Sequence, residues 1–205
     1  MCVTTLFCDI GGVFLTNGWD RHARRRLVAE FGLDGAAYEQ AHQFAVADFE
    51  RDRISEDDYW RRTVLAHVAP GTVTLAQLRA FMRAQSETLE PSLAVLRELA
   101  AERRLRLVML NNESRELNQY RIDRFGLKRY FETFLSSCFL DARKPHPVIF
   151  ERARHVLQLA PGQCAFVDDR LENLEYPRQA GWHTVHFEGA ASLRASLLEL
   201  TAIPA

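Results

Sequence analysis

The apolar positions of this chain follow two different rhythms. Between residues 18 and 86 they recur at helical spacing, and no run there reads as a strand. Asp20 to Phe31 predicts a helix, with Asp20 placed to cap its start and Gly32 to end it. A second helix is expected from Gly35 to Arg51. A third begins behind Ser55 and Asp58, a relative of the capping box, and runs to Ala66. After the Pro-Gly break between Val68 and Thr72, Thr74 can cap a fourth to about Ala84, and Pro91 opens another to about Glu102.

Elsewhere, short continuous apolar runs alternate with helical stretches. Leu6 to Cys8 reads as the end of a buried strand, and Val13 to Gly18 as the loop leaving it. Further strands are expected at Leu105–Leu110, Phe134–Phe139, Cys164–Val167 and His183–Phe187. Helices are expected between them, up to Phe125 before Gly126, from Pro147 to Leu157, and from Leu171 to Ala180 before Gly181. Strands alternating with helices imply an α/β fold, a parallel sheet joined by right-handed crossovers. Such sheets bind ligands beyond the carboxyl ends of their strands.

That assumption gathers the chemistry. Asp9, the Asn111-Asn112 pair and the Asp168-Asp169 pair all sit at expected strand ends. Gly11 and Gly12 follow Asp9 and let the backbone turn sharply against a ligand. Three carboxylates on one rim repel unless a cation joins them, and magnesium, which takes few carboxylates plus waters and phosphate oxygens, suits the donor set. Lys144, one of only two lysines, could set a further positive charge against the acids.

Composition excludes more than it assigns. At 205 residues, 47% hydrophobic and 26% charged, the chain is that of a globular protein, and 26 basic against 27 acidic residues leave no field favouring nucleic acid or an anionic membrane. No apolar run reaches bilayer-spanning length and the start carries no leader-like segment, so a cytoplasmic protein is expected. Cys2, Cys8, Cys138 and Cys164 lack CxxC spacing, and three fall in strand-like stretches, which fits packed thiols rather than disulfides or zinc. GxGxxG and P-loop patterns are absent.

In order, Phe7-Cys8-Asp9-Ile10-Gly11-Gly12-Val13, Val108-Met109-Leu110-Asn111-Asn112, Arg143-Lys144-Pro145 and Phe166-Val167-Asp168-Asp169 with Asn173 downstream resemble the four motifs of the haloacid dehalogenase-like superfamily. The chain looks most like its small sugar-phosphatase-type members and the phosphatase domain fused to some epoxide hydrolases. The resemblance implies a Rossmann-like core with helices on both faces, residues 1–16 and 87–205, carrying an inserted α-helical cap, residues 17–86. It further implies a magnesium-dependent phosphatase acting on a small phosphorylated metabolite such as a sugar phosphate. Asp9 would be the nucleophile of an aspartyl-phosphate intermediate. Asp9, the Gly11 carbonyl and Asp169 would hold Mg2+, with Asp168 behind them or bound through water. Asn111 and the Asn112 backbone would grip phosphate, and Lys144 would balance the charge on Asp9.

Two positions depart from that family. Gly11 stands where its phosphatases carry a general acid, which points to slow turnover or to leaving groups that need little protonation. Asn111 stands where Ser or Thr is usual, and its amide can still donate to phosphate. The alternatives are a 2-haloacid dehalogenase, against which the acidic pair counts, and a catalytically weak binding protein of the same fold, which Gly11 favours.

Other residues carry plainer expectations. Asp20 fits a helix cap better than a substitute acid. Arg21, Arg24, Arg25 and Arg26 fit a solvated face better than a phosphate patch, while Trp19 is the aromatic with a cavity role to weigh against core packing, Tyr59 and Trp60 being core. His183 and His186 need no metal. Asn173 could orient Asp169 or serve a helix start, and Arg115 could reach substrate or form a surface ion pair.

Overall fold

The computed structural model describes residues 2–202; residues 1 and 203–205, at the ends of the expected core, lie outside it. Five strands form one parallel sheet: β1 (Thr5–Cys8), β2 (Arg106–Met109), β3 (Thr133–Phe134), β4 (Cys164–Asp168) and β5 (His183–His186), in the order β3-β2-β1-β4-β5. β1 lies at the centre, with Cys8 opposite both Met109 and Val167. Its ladder continues through Asp9 N–H to Val167 O (2.9 Å) and Leu110 N–H to Cys8 O (2.8 Å). Three strands therefore end flush, and the residues that follow each emerge on one rim.

The strands are buried on both faces, as a parallel sheet requires. Leu6, Cys8, Leu107, Met109, Ala165 and Val167 face one layer, with α5 (Glu90–Glu102), α6 (Arg115–Arg124) and α10 (Ala190–Ala202). Phe7, Val108, Leu110, Phe166 and Trp182 face the other, under α8 (Pro147–Val156) and α9 (Leu171–Gln179). α10 had no counterpart in the sequence pattern, where nothing beyond Phe187 was assigned; its Leu193, Leu197 and Leu200 are buried with Leu93 and Leu96 of α5.

Before α5, the chain between β1 and β2 is helical: α1 (Arg21–Phe31), α2 (Gly35–Phe49), α3 (Glu56–Thr63) and α4 (Leu75–Ala84). The caps sit where the sequence put them, on Asp20, Ser55 and Thr74, with Gly32 left-handed at φ 60°. α3 is shorter than expected, giving way after Thr63 to a 3-10 turn at Leu65–His67. These helices have their own core, in which Leu27, Tyr38, Phe49, Tyr59, Trp60, Leu78 and Met82 pack around Leu117 of α6.

One expected strand is largely absent. Phe134–Phe139 was read as a strand, but β3 stops at Phe134 and Ser137–Leu140 is a short helix, α7, so Cys138 is helical rather than strand-borne. The edge strand has only Val108 and Met109 to pair with. Beyond them Ser137 N–H bonds to Asn111 O (2.9 Å), and Ser136 Oγ–H to Asn111 Oδ1 (2.7 Å). An apolar run alone does not distinguish these outcomes. The four cysteines are unpaired thiols, buried at Cys8, Cys138 and Cys164.

Candidate active site

The first acid, Asp9, stands where β1 leaves the sheet and is 8% exposed. Its Oδ1 accepts from Ile10 N–H (2.8 Å) and from Lys144 Nζ (3.0 Å). Lys144 is 4% exposed and also donates to Asp168 Oδ2 (2.6 Å). Asp168, wholly buried at the end of β4, receives Arg170 N–H and Asn173 Nδ2–H on Oδ1, each at 2.9 Å. Asn173 therefore orients Asp168, not Asp169. Burial pushes the Asp9 carboxyl up to about 7; Lys144 pulls against that shift and Asp168 adds to it. Although burial opposes it, Asp9 and Asp168 hold Lys144 above its ordinary value.

The third acid completes an all-oxygen cluster. Ligand atoms of Asp9, Asp168 and Asp169 lie within 4.8 Å of one another. Asp169 Oδ1 is buried without a hydrogen-bond partner, and burial, then Asp168, raises its carboxyl above the usual range. One lysine does not neutralise three carboxylates, and a buried acceptor left unpaired leaves a position that a cation can take. Gly12 makes the approach possible: at φ +79°, a Cβ there would stand 2.2 Å from Asp169 Oδ2. The donor set fits a hard divalent ion.

Asn111 and Asn112 behave differently from each other. The Asn112 side chain brackets the lysine backbone, with Nδ2–H to Lys144 O (2.9 Å) and Lys144 N–H to its Oδ1 (2.8 Å). It thereby aims Lys144 at the acids. Asn111 is nearly buried, accepts from Ser136 Oγ–H and gives one amide hydrogen to Asn118 Oδ1 (3.2 Å).

A cavity of about 450 Å³ opens over this rim, lined by Asp9, Gly11, Asn111, Asn112, Lys144 and Asn173 from the sheet side and by Trp19, Asp20, Arg21, Arg24, His42, Gln43, Val46 and Glu50 from the helical block. Asp20 caps α1 through Ala23 N–H (2.8 Å) while lining the cavity, and Trp19 lines it too, donating Nε1–H to Tyr59 Oη (2.8 Å). Arg24 is not a solvated residue; its guanidinium is paired with Glu39 at 2.7 Å, whereas Arg21, Arg25 and Arg26 are exposed. Arg115 pairs with Asp52 on the surface, and His186 Nε2 lies 3.2 Å from Asp169 O.

Several lining groups escaped sequence reasoning. Arg121, 3% exposed on α6, donates to Glu113 Oε2 (2.9 Å), and burial, against the pull of Arg121, pushes Glu113 up to about 7. A Cβ on Gly11 would meet Asn17 Oδ1 at 3.1 Å and Arg121 Nη1 at 3.8 Å, so the space beside Gly11 is filled by these two side chains. Glu50, from the end of α2, pairs with Arg143. None of these follows a local motif; each acquires its neighbour from a different element.

A family model described as haloacid dehalogenase-like hydrolase matches residues 3–181, and the chain belongs to that family. Among curated proteins it is 28% identical over 138 residues to the N-acylneuraminate-9-phosphatase of Rattus norvegicus, covering 66% of this chain and 47% of the relative. It is 26% identical over 165 residues to a chloroplast flavin mononucleotide hydrolase of Arabidopsis thaliana, covering 78% and 63%. The chain thus spans roughly half to three-fifths of the length of these relatives. A HAD family enzyme of Bacteroides thetaiotaomicron, solved as a magnesium complex, superposes with a TM-score of 0.77 at 19% identity, over 91% of this chain and 94% of that one. No helix among the described residues is long and apolar enough to cross a membrane.

Proposed function

We propose that this chain is a magnesium-dependent phosphomonoesterase that hydrolyses a small organic phosphate through a phosphorylated Asp9. The observation that carries the reading is the meeting of Asp9, Asp168 and Asp169 around one point, with a buried Asp169 oxygen left unpaired. Asp9, Asp169 and the Gly11 carbonyl would hold the ion, with Asp168 behind them. When bound, magnesium supplies positive charge against the carboxylates and the phosphoryl oxygens. An Asp9 oxygen forms a bond to phosphorus as the bond to the leaving oxygen breaks, and water then attacks the phosphorus, freeing Asp9 and inorganic phosphate. Lys144, fixed by Asn112, balances charge on Asp9 and on the transferring group. The Asn111 amide and the Asn112 backbone would bind the remaining phosphoryl oxygens.

The curated relatives include a sugar-acid phosphatase and a hydrolase of flavin mononucleotide, both acting on small phosphorylated molecules by their names. The residues 17–86 block acts, in this reading, as a cap that closes the cavity over the rim. Because residue 11 offers no proton donor, substrates whose leaving group is already a weak base, such as anomeric sugar phosphates, acyl phosphates or aryl phosphates, are turned over fastest.

Phosphate release from glucose 1-phosphate and phenyl phosphate, with and without magnesium, tests the proposal. Chelation abolishes release, Asp9→Asn lowers kcat on the order of 10⁴-fold or more, and beryllofluoride occupies Asp9. Metal-independent release of halide from 2-chloropropionate would overturn it in favour of a dehalogenase.

A further inference from the structure

His42 lies on α2 with Val46 and Glu50 further along the helix, all three lining the cavity, yet it belongs to no motif and takes no part in the chemistry above. Its surroundings fix its protons. Tyr59 Oη is the hub of a buried cluster: it accepts Trp19 Nε1–H at 2.8 Å, lies 3.2 Å from Tyr38 Oη, and lies 2.8 Å from His42 Nδ1. Tyr38, Tyr59 and His42 are 2%, 0% and 4% exposed. A phenol donates once and accepts twice, and the indole N–H can only donate.

Two arrangements satisfy those rules at Tyr59. In one, His42 Nδ1–H and the indole both donate to Tyr59, which donates to Tyr38. The Tyr38 hydroxyl hydrogen is then buried with nothing to receive it, since Tyr59 is its only hydrogen-bond partner among the described residues. In the other, Tyr38 and Trp19 donate to Tyr59, and Tyr59 donates to His42 Nδ1. Every buried donor is then used. An orphaned buried donor is strongly disfavoured, so the second arrangement prevails. With Nδ1 an acceptor, the neutral ring must carry its hydrogen on Nε2. That nitrogen has no hydrogen-bond partner among the described residues and is not sealed from solvent, and His42 lines the cavity.

We infer that His42 is a specificity-determining residue that presents a neutral Nε2–H donor to an uncharged oxygen of the substrate's leaving group, a hydroxyl or ring oxygen, rather than to the phosphate. Charge separates these two tasks. Burial and the nearby Arg24 push the His42 pKa down to about 4, so the donor is uncharged at neutral pH. Of the cations lining the cavity, Lys144, Arg24, Arg121, Arg143 and Arg170 are already matched to carboxylates, and Arg21 is exposed. The role at the leaving group rests on the phosphatase reading, whereas the tautomer does not.

The tautomer is read directly in the wild-type protein by two-dimensional proton–nitrogen correlation of the His42 ring. An Nε2–H, Nδ1-acceptor pattern is expected, and an Nδ1–H pattern overturns the inference whether or not the protein is a phosphatase. Tyr38→Phe removes that hydroxyl as donor and as acceptor, so the Tyr59 hydrogen has only His42 Nδ1 left to receive it; the single Nε2–H form is expected to persist, and the appearance of an Nδ1–H form counts against the donor count. In Asp9→Asn, which leaves these substrates intact, titration with glucose 1-phosphate and magnesium should move the Nε2–H resonance downfield, and phenyl phosphate, which has no oxygen beyond its ester, should not. Equal shifts, or none, overturn it. His42→Leu is expected to raise KM for glucose 1-phosphate about three- to tenfold more than for phenyl phosphate, the range of one neutral hydrogen bond, with His42→Gln recovering part. Equal changes for the two substrates sink the assignment. Absence of turnover on both by wild type, with the tautomer as expected, would instead reject the phosphatase reading and the leaving-group role with it, while the tautomer assignment stands.

Discussion

The cavity has two walls made by different physics. The strand-end wall is a knot of charge, three carboxylates whose oxygens lie within 4.8 Å of one another and one lysine bonded to two of them, fixed by backbone amides and by the flush ends of β1 and β4. In the helical wall the buried hub is neutral, hydrogen bonds among Trp19, Tyr38, Tyr59 and His42, with the ion pairs of Arg24 and Glu50 beside it. A sheet buried on both faces cannot shift one strand without disturbing its neighbours, so it suits groups that must meet at a fixed point. Helices packed on their own core can change lining residues without moving that point. On the function proposed above, reaction and recognition would fall to separately built surfaces.

The comparison breaks most visibly at Lys144. Lys144→Met strands Asp168, which is wholly buried, beside Asp9, and unfolding in denaturant should show a loss of about 3–5 kcal/mol. A smaller loss would mean the charge knot does not depend on its lysine. His42 gives the next effect. Its folded pKa, about 4, lies below the ordinary 6.5, so in that window the unfolded chain takes up a proton that the folded protein refuses. Stability is therefore fully present above pH 6.5 and is lost as pH falls towards 4, by up to about 3 kcal/mol. His42→Gln should flatten that part of the pH–stability curve.

Tyr59→Phe is expected to destabilise by about 1–3 kcal/mol, because the Trp19 N–H, the Tyr38 hydroxyl and His42 Nδ1 all lose their partner. The loss should vary little with salt, unlike a loss of paired charge. The smallest effect lies where the two regions touch at the surface. Arg53 and Asp141 meet at 2.8 Å but are half exposed, so Arg53→Ala should cost about 0.2–1 kcal/mol, vanishing in high salt. A larger cost would show that this exposed contact, and not the buried side chains, holds the helical block to the sheet.

Legibility in the sequence followed the range of the forces involved. Caps at Asp20, Ser55 and Thr74 were readable because each helix start is settled within four residues. The strand ends carrying Asp9 and Asp168 were readable because burial on both faces writes an unbroken apolar run just before each acid. Phe134–Phe139 carried a similar run but had no strand to lie against beyond Met109, and the serines took the chain into a turn of helix. Arg24 looked solvated on its own helix because Glu39, its partner, comes from the next one.

What the amino-acid order determined by itself was the alternation of elements, and with it one end of the sheet where the acids and Asn111-Asn112 could gather. Only tertiary structure decided which oxygen of which carboxylate Lys144 reaches, that Asn112 aims that lysine, and that Asn17 and Arg121 fill the space beside Gly11. It also decided which nitrogen of His42 carries hydrogen. Periodicity is a local property of a chain, whereas a buried hydrogen-bond network is closed by donors and acceptors tens of residues apart, and its proton count has no meaning until they meet.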